Sequence, residues 1–71
     1  MAIKKVDSSM VWAIDYDPKS QVLEVAFKRT GVFSYEGVPP SEYRNLLHAD
    51  SIGSYLRTCI IGVYRERKLV D

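Results

Sequence analysis

The sequence contains very few of the residues on which most metal and nucleophilic sites depend. Cys59 is the single cysteine and His48 the single histidine among 71 residues. One cysteine cannot form an internal disulfide, which is typical of a reducing compartment, and we therefore expect a cytoplasmic protein. With no C-x-x-C pair and no second histidine, no spacing of metal ligands occurs. The sequence predicts neither a metal nor a cofactor.

Long apolar runs and catalytic loops are missing as well. No stretch approaches the ~20 apolar residues that a membrane-spanning helix needs, and no apolar segment follows the basic residues near Met1 as in a secretory signal. There is no glycine-rich phosphate loop and no G-x-S-x-G elbow. We expect His48 to lie near the end of a helix and Cys59 to lie on an apolar helix face, where a thiol stays protonated. The expected protein is not an enzyme and contacts no membrane.

The excess of one sign of charge over the other is also small. Ten basic and nine acidic residues give a formal net charge of +1, whereas nucleic-acid-binding domains usually carry a clear basic excess. The apolar content of 46% is that of a folded chain. Without a repeat or linker, residues 1–71 read as one domain, with a core over about residues 6–64 and a charged C-terminal tail over 65–71.

The first half of the chain has the period of β-strands. Residues 10–16 alternate so that Met10, Trp12, Ile14 and Tyr16 share one face, and residues 22–28 and 32–36 form two further strands. A turn at Asp17 and Pro18 joins the first two strands, and Gly31 suits the turn between the second and third. Short connections of this kind predict an antiparallel meander of three strands.

The second half changes to a helical period. Pro40 suits the first position of a helix that runs to His48, and Asp50 or Ser51 can cap a second helix. In this second helix the apolar residues recur at helical spacing: Ile52, Tyr55, Leu56, Cys59, Ile60, Val63 and Tyr64. The predicted fold is therefore α+β, a three-stranded antiparallel meander followed by two helices packed on one sheet face.

Basic residues form the main candidate binding surface. Lys28 and Arg29 share a turn, while Arg65, Arg67 and Lys68 cluster near the C-terminus. On the second helix, successive steps of ~100° place Arg57, Ile61 and Arg65 in a line opposite the apolar face. Such a line can follow a phosphate backbone, and it is also typical of a solvated helix face with cations near its C-terminus.

Aromatic residues form a second candidate surface for nucleic-acid binding. Phe33 and Tyr35 lie two positions apart and so share one face of the third strand. Sheets that bind RNA expose such rings to stack bases. Because one face of a small meander must pack on the helices, we predict that Phe33 lies in the core. For Tyr35, both a core position and a position on a binding surface remain open.

Several motifs together resemble the KTSC domain family. They are Val6-x-Ser8-Ser9, Tyr16-Asp17-Pro18, Leu23-x-Val25-x-Phe27, Phe33-Ser34-Tyr35-x-Gly37-Val38-Pro39 and Leu47-x-Ala49-x-Ser51-x-Gly53-x-Tyr55. The family takes its name from the C-terminus of some lysyl-tRNA synthetases and also includes small standalone bacterial and phage proteins. That link implies RNA as a ligand. The chain departs from the family pattern at Phe33, Ile52 and Ile61, where tyrosine, lysine and arginine are common.

Two functions are consistent with these residues. The first is a small binding module that contacts RNA or DNA phosphates weakly through Lys28, Arg29, Arg57, Arg65, Arg67 and Lys68, with Tyr35 as an aromatic contact. The second is a protein-interaction module or homodimer that uses the helix face around Ile61, an apolar residue amid the basic line. The basic residues favour the first function, whereas Ile61 and the low net charge favour the second.

Overall fold

One antiparallel sheet forms the frame of the molecule. The computed structural model describes residues 3–5, as backbone alone, and residues 9–70; Val6 and Ser8 of the quoted motifs and Asp71 of the predicted tail lie outside the described residues. The strands lie side by side in chain order: β1 (Ile3–Lys5), β2 (Val11–Asp17), β3 (Val22–Phe27), β4 (Gly31–Glu36) and β5 (Arg65–Val70). The helical elements are α1 (Pro40–Leu47), α2 (Ile52–Tyr55) and a π-helical segment (Leu56–Ile60) that continues α2. The predicted α+β class is confirmed.

The predicted meander corresponds to β2, β3 and β4, which pair antiparallel through short turns. Asp17 closes the first turn, because its carboxylate accepts hydrogen bonds from the Lys19 backbone N–H and the Ser20 hydroxyl, both at 3.0 Å. Gly31 enters β4 with a φ of 102°, a conformation that residues with a Cβ rarely adopt. Both turn predictions are therefore confirmed.

The core lies between one face of this sheet and the helices. The sheet and the segment after β4 contribute buried side chains, and Leu46, Leu56 and Ile60 bury theirs from the helical side. The buried residues of the first group are Val11, Ile14, Tyr16, Leu23, Val25, Tyr35 and Val38. Since apolar burial is the main favourable term in folding, this cluster holds the helices on the sheet.

Trp12 does not share a face with Ile14 and Tyr16, contrary to the sequence prediction. Its side chain is 61% exposed, whereas its neighbour Val11 is fully buried. Val11 pairs with Phe27 and Ala13 with Ala26, so Trp12 is an extra residue in β2 and forms a β-bulge. The bulge shifts the alternation of side chains by one position, which leaves Ile14 and Tyr16 inside and turns Trp12 outward.

The second helix is shorter than its apolar period predicts. Ser51 caps it as expected, accepting a hydrogen bond from the Ser54 N–H at 3.2 Å. The last turn is π-helical, with the Ile61 N–H bonded to the Leu56 carbonyl at 2.7 Å, and Ile61 itself is extended. Gly62 then takes a φ of 82° and ends the helical course. The predicted burial of Val63 on the helix face is wrong, since its side chain is 63% exposed.

The C-terminal residues form β5 rather than a frayed tail. Four residues of β4, Phe33 to Glu36, pair with Lys68, Arg67, Glu66 and Arg65 in turn. All six residues of β5 are exposed, so pairing with β4, not burial in the core, holds this strand. Among the described residues, no helix is long and apolar enough to cross a membrane.

Candidate nucleic-acid interface

A depression at the turn end of the sheet brings two predicted residues together. Arg29, in the turn between β3 and β4, and Arg57, in the π-helical segment, line the same cavity of about 470 Å³. We call this cavity the arginine groove; its other lining residues are Ser9, Met10, Phe27 and Thr30. Both arginine side chains are exposed, and the floor between them is apolar. The groove therefore offers two cations above a surface on which a flat, apolar group can rest.

Local structure fixes the two sides of the arginine groove. The Lys28 N–H donates to the Met10 carbonyl at 2.8 Å, which ties the turn to the start of β2. Gly53 lets α2 approach the Met10 side chain closely, because a Cβ at that position would lie 2.7 Å from the Met10 sulfur. The π-helical segment that carries Arg57 is a rare geometry, and single π turns occur frequently at functional sites.

A second depression continues the arginine groove toward β5. It measures about 320 Å³ and shares Met10, Phe27, Thr30 and Arg57 with the groove. Its own lining residues are Phe33, Tyr35, Ile61 and Glu66, and we call it the Glu66 pocket. Apolar walls with a few converging polar groups are typical of binding sites for small groups.

Tyr35 takes part in the Glu66 pocket through its hydroxyl alone. Its side chain is 0% exposed, so a role in stacking bases, one of the two roles open from the sequence, is wrong. The hydroxyl donates a hydrogen bond to Glu66 Oε2 at 2.8 Å. Burial, together with the bond to the Glu66 carboxylate, raises the pKa of Tyr35 well above its ordinary value.

Alkaline pH should destabilise the protein through its tyrosines. Burial raises the pKa of Tyr16, Tyr35, Tyr43, Tyr55 and Tyr64 above the ordinary value of 10.0. The folded state then holds these protons more tightly than the unfolded state, so its stability is full below about pH 10 and falls as the pH rises above that. Urea unfolding midpoints measured from about pH 9 to 11 should decline, and the decline should be shallower for Tyr35→Phe. A flat profile would contradict the burial of these hydroxyls.

An exposed aromatic ring lies at the same end of the sheet. The Lys28 ammonium lies 4.8 Å from the centre of the Trp12 ring, a cation–π contact. Lys28 directly precedes Arg29, so the Trp12–Lys28 pair lies beside the turn that carries Arg29, with Trp12 on the outward face of the sheet. This Trp12–Lys28 pair was not predicted, because the sequence period placed Trp12 on the same face as Ile14 and Tyr16.

The remaining predicted cations do not line the arginine groove. Residues directly opposite in paired strands face the same side, so Glu66 and Lys68 lie with Tyr35 and Phe33 on the helix side of the sheet. The Lys68 ammonium lies 5.6 Å from the centre of the Phe33 ring, and Phe33 is half-buried against the core as predicted. Arg67 pairs with Ser34 on the other face, where the alternation also places Arg65.

The predicted line through Arg57, Ile61 and Arg65 is therefore wrong. Arg57 is in the π-helical segment, Ile61 is extended after its end, and Arg65 begins β5. Ile61 is half-buried, packs against the core and lines the Glu66 pocket rather than standing among cations. The helical period predicts a straight continuation, which Gly62 interrupts.

The residues weighed for catalysis occupy ordinary structural positions. His48 follows the last residue of α1, and its Nδ1 contacts the Arg44 carbonyl at 2.8 Å. Cys59 is a half-buried free thiol. Within the described ranges, no group of three or more His, Cys, Asp or Glu side chains is arranged to hold a metal ion.

Comparison with known proteins gives consistent matches over most of the chain. The model of the KTSC domain matches residues 7–64. An uncharacterized protein of Stutzerimonas stutzeri is 42% identical over 50 residues, 70% of each chain, and a protein of Tsukamurella paurometabola is 35% identical over 65 residues, 92% of this chain and 91% of its own. The crystal structure of the KTSC domain protein YPO2434 from Yersinia pestis superposes with a TM-score of 0.93 at 34% identity, covering 96% of both chains.

Proposed function

The chain belongs to the KTSC domain family, and we propose that it is a binding module, not an enzyme, whose arginine groove holds single-stranded RNA or DNA. The observation that carries this proposal is the presence of Arg29 and Arg57 on one cavity of about 470 Å³. Guanidinium groups bind phosphate oxygens through paired N–H donors and need no particular base sequence. The apolar floor, which includes Phe27 and Met10, supplies contact for a base or sugar between them.

Trp12 supports a single strand over a duplex. An exposed ring gives an unstacked base a surface on which to stack, which contributes about 1–3 kcal/mol per base in proteins of this kind. The Lys28 ammonium, 4.8 Å from the centre of that ring, supports the proposal as a cation for the adjoining phosphate. Paired bases in a duplex cannot offer their faces in this way, so the ring adds affinity for unpaired strands alone.

Replacing both arginines should weaken binding and its salt dependence together. Each phosphate contact on a single strand contributes about 0.7 to the slope of log affinity against log salt concentration. The Arg29→Ala, Arg57→Ala double variant should therefore lose at least about tenfold in affinity for a uridine oligomer and about 1.4 in slope. Fluorescence anisotropy across a salt series measures both quantities.

The matched control is Arg65→Ala with Arg67→Ala, which removes the same charge from the opposite face of the sheet. This pair should leave both affinity and slope near those of the wild type, because neither side chain reaches the arginine groove. Equal losses in the two double variants would show diffuse attraction to net charge and would overturn the proposed groove. All four positions are exposed, so folding should change by under about 0.5 kcal/mol.

A protein contact through the face around Ile61 is the alternative proposal. Its support is Val63, which is 63% exposed in the turn two residues after Ile61. A dimer resting on apolar burial would change little with salt and would appear as a concentration-dependent mass in sedimentation. The link to lysyl-tRNA synthetases and the cytoplasmic location stay predictions of the sequence, and the proposed binding of nucleic acid rests on the arginine groove instead.

A further inference from the structure

The Glu66 pocket has a different chemistry from the arginine groove that it adjoins. This open depression of about 320 Å³ is lined mainly by apolar side chains, among them Phe27, Phe33 and Ile61. Arg57 and Glu66, a cation and an anion, also line it. A ligand that fits such a pocket has apolar faces, donors on one edge and acceptors on another.

Glu66 is held in place for recognition. The Tyr35 hydroxyl donates to its Oε2 at 2.8 Å, and the Tyr35 side chain is itself fully buried in the core. A carboxylate has about four lone-pair sites on its two oxygens, so accepting one hydrogen bond leaves room for two more. The carboxylate is therefore a pre-positioned double acceptor at the edge of the pocket.

We infer that the Glu66 pocket binds a guanine base of the single strand, an inference that rests on the proposed function. Guanine alone among the common bases presents two adjacent donors, the ring N1–H and the exocyclic N2 amine, to a carboxylate. Its O6 and N7 are acceptors that arginine binds in pairs, and Arg57 lines the same pocket. Adenine and cytosine each place a ring acceptor beside their amine, which the Glu66 carboxylate repels. Uracil places a carbonyl on each side of its N–H.

The test measures base preference with matched oligomers. Short uridine oligomers carrying one central guanosine, inosine, adenosine or cytidine are titrated against the protein by fluorescence anisotropy. The guanosine oligomer should bind about tenfold more tightly than the adenosine and cytidine oligomers, with inosine between them because it lacks the N2 amine. In Glu66→Gln the ratio of guanosine to adenosine affinity should fall below about twofold, and because both oligomers are measured on the same variant, the effect of the lost charge on phosphate binding cancels in this ratio.

A second variant and a control distinguish the role of the Glu66 pocket from an effect on folding. Tyr35→Phe keeps the buried ring and removes only the anchor of Glu66, so it should reduce the guanosine preference without loss of the arginine groove. Glu24→Gln makes the same carboxylate-to-amide change on the opposite sheet face, since Glu24 pairs with Ser34, and should keep the full preference. Uridine binding with no preference for guanosine, or a preference that survives Glu66→Gln, would overturn the guanine site alone. Failure to bind any oligomer would overturn the proposed function and the site with it.

Discussion

Replacing Leu56 with alanine should cost about 2–5 kcal/mol of unfolding free energy. Leu56 is fully buried at the start of the π-helical segment and belongs to the core cluster between sheet and helices. The loss combines the transfer energy of the removed methyl groups with a residual cavity. A chain of this length typically has about 4–11 kcal/mol of stability, so urea unfolding should show a large fall in midpoint or a partly unfolded population.

Val63→Ala provides the comparison for this result. The sequence period places Val63 on the same buried face as Leu56, whereas the structure exposes it after the turn at Gly62. The Val63 variant should therefore change the unfolding free energy by under about 0.5 kcal/mol. Similar costs at the two positions would mean that the helix continues as its period predicts, and the π-helical ending would then be wrong.

Tyr16→Phe should cost about 1–3 kcal/mol, although it removes a single oxygen. The Tyr16 hydroxyl donates to the Val38 carbonyl at 2.6 Å, and both residues are buried. Without the hydroxyl, this carbonyl loses a partner that water cannot readily replace. The phenylalanine ring keeps the stacked contact with Tyr43, whose ring centre is 4.4 Å away, so the cost should reflect the hydrogen bond.

The measurement for Tyr16→Phe is the denaturant midpoint together with hydrogen exchange in α1. Val38 lies just before α1, and Tyr16 lies on β2, so the bond ties the approach to this helix to the sheet. We expect faster exchange of α1 amides in the variant than in the wild type. An unchanged midpoint and unchanged exchange would show that the Val38 carbonyl needs no partner in the folded state.

Local chemistry made much of the fold predictable. The meander follows from alternation at Leu23 and Val25 and from turn residues such as Asp17, and the helix start follows from Pro40. The wrong assignments arise either from pairing between separate strands or from a single residue that interrupts a pattern. The bulge at Trp12 depends on how β2 pairs with β3, which alternation within one strand does not reveal. Gly62 is a recognisable helix stop, but the apolar period extends past it to Val63 and Tyr64.

The candidate site was predictable in its residues but not in its arrangement. Arg29 and Arg57 stood out as cations on a turn and a helix, yet only the close approach of α2 to the Met10 side chain, just before β2, brings them to one cavity. No sequence pattern identified Glu66 as a candidate site residue, because its position opposite Tyr35 arises from the pairing of β5 with β4. Strand β5 itself was missed, since a charged segment lacks the alternation of a half-buried strand.

The composition of β5 has a consequence for the behaviour of the protein at high concentration. This strand is the outer edge of the sheet, and its free backbone groups can template pairing with another molecule. Four of its six residues are charged: Arg65, Glu66, Arg67 and Lys68. Edge lysines and arginines oppose such pairing by mutual repulsion, so these cations act as gatekeepers against fibril-like aggregation whatever the ligand is.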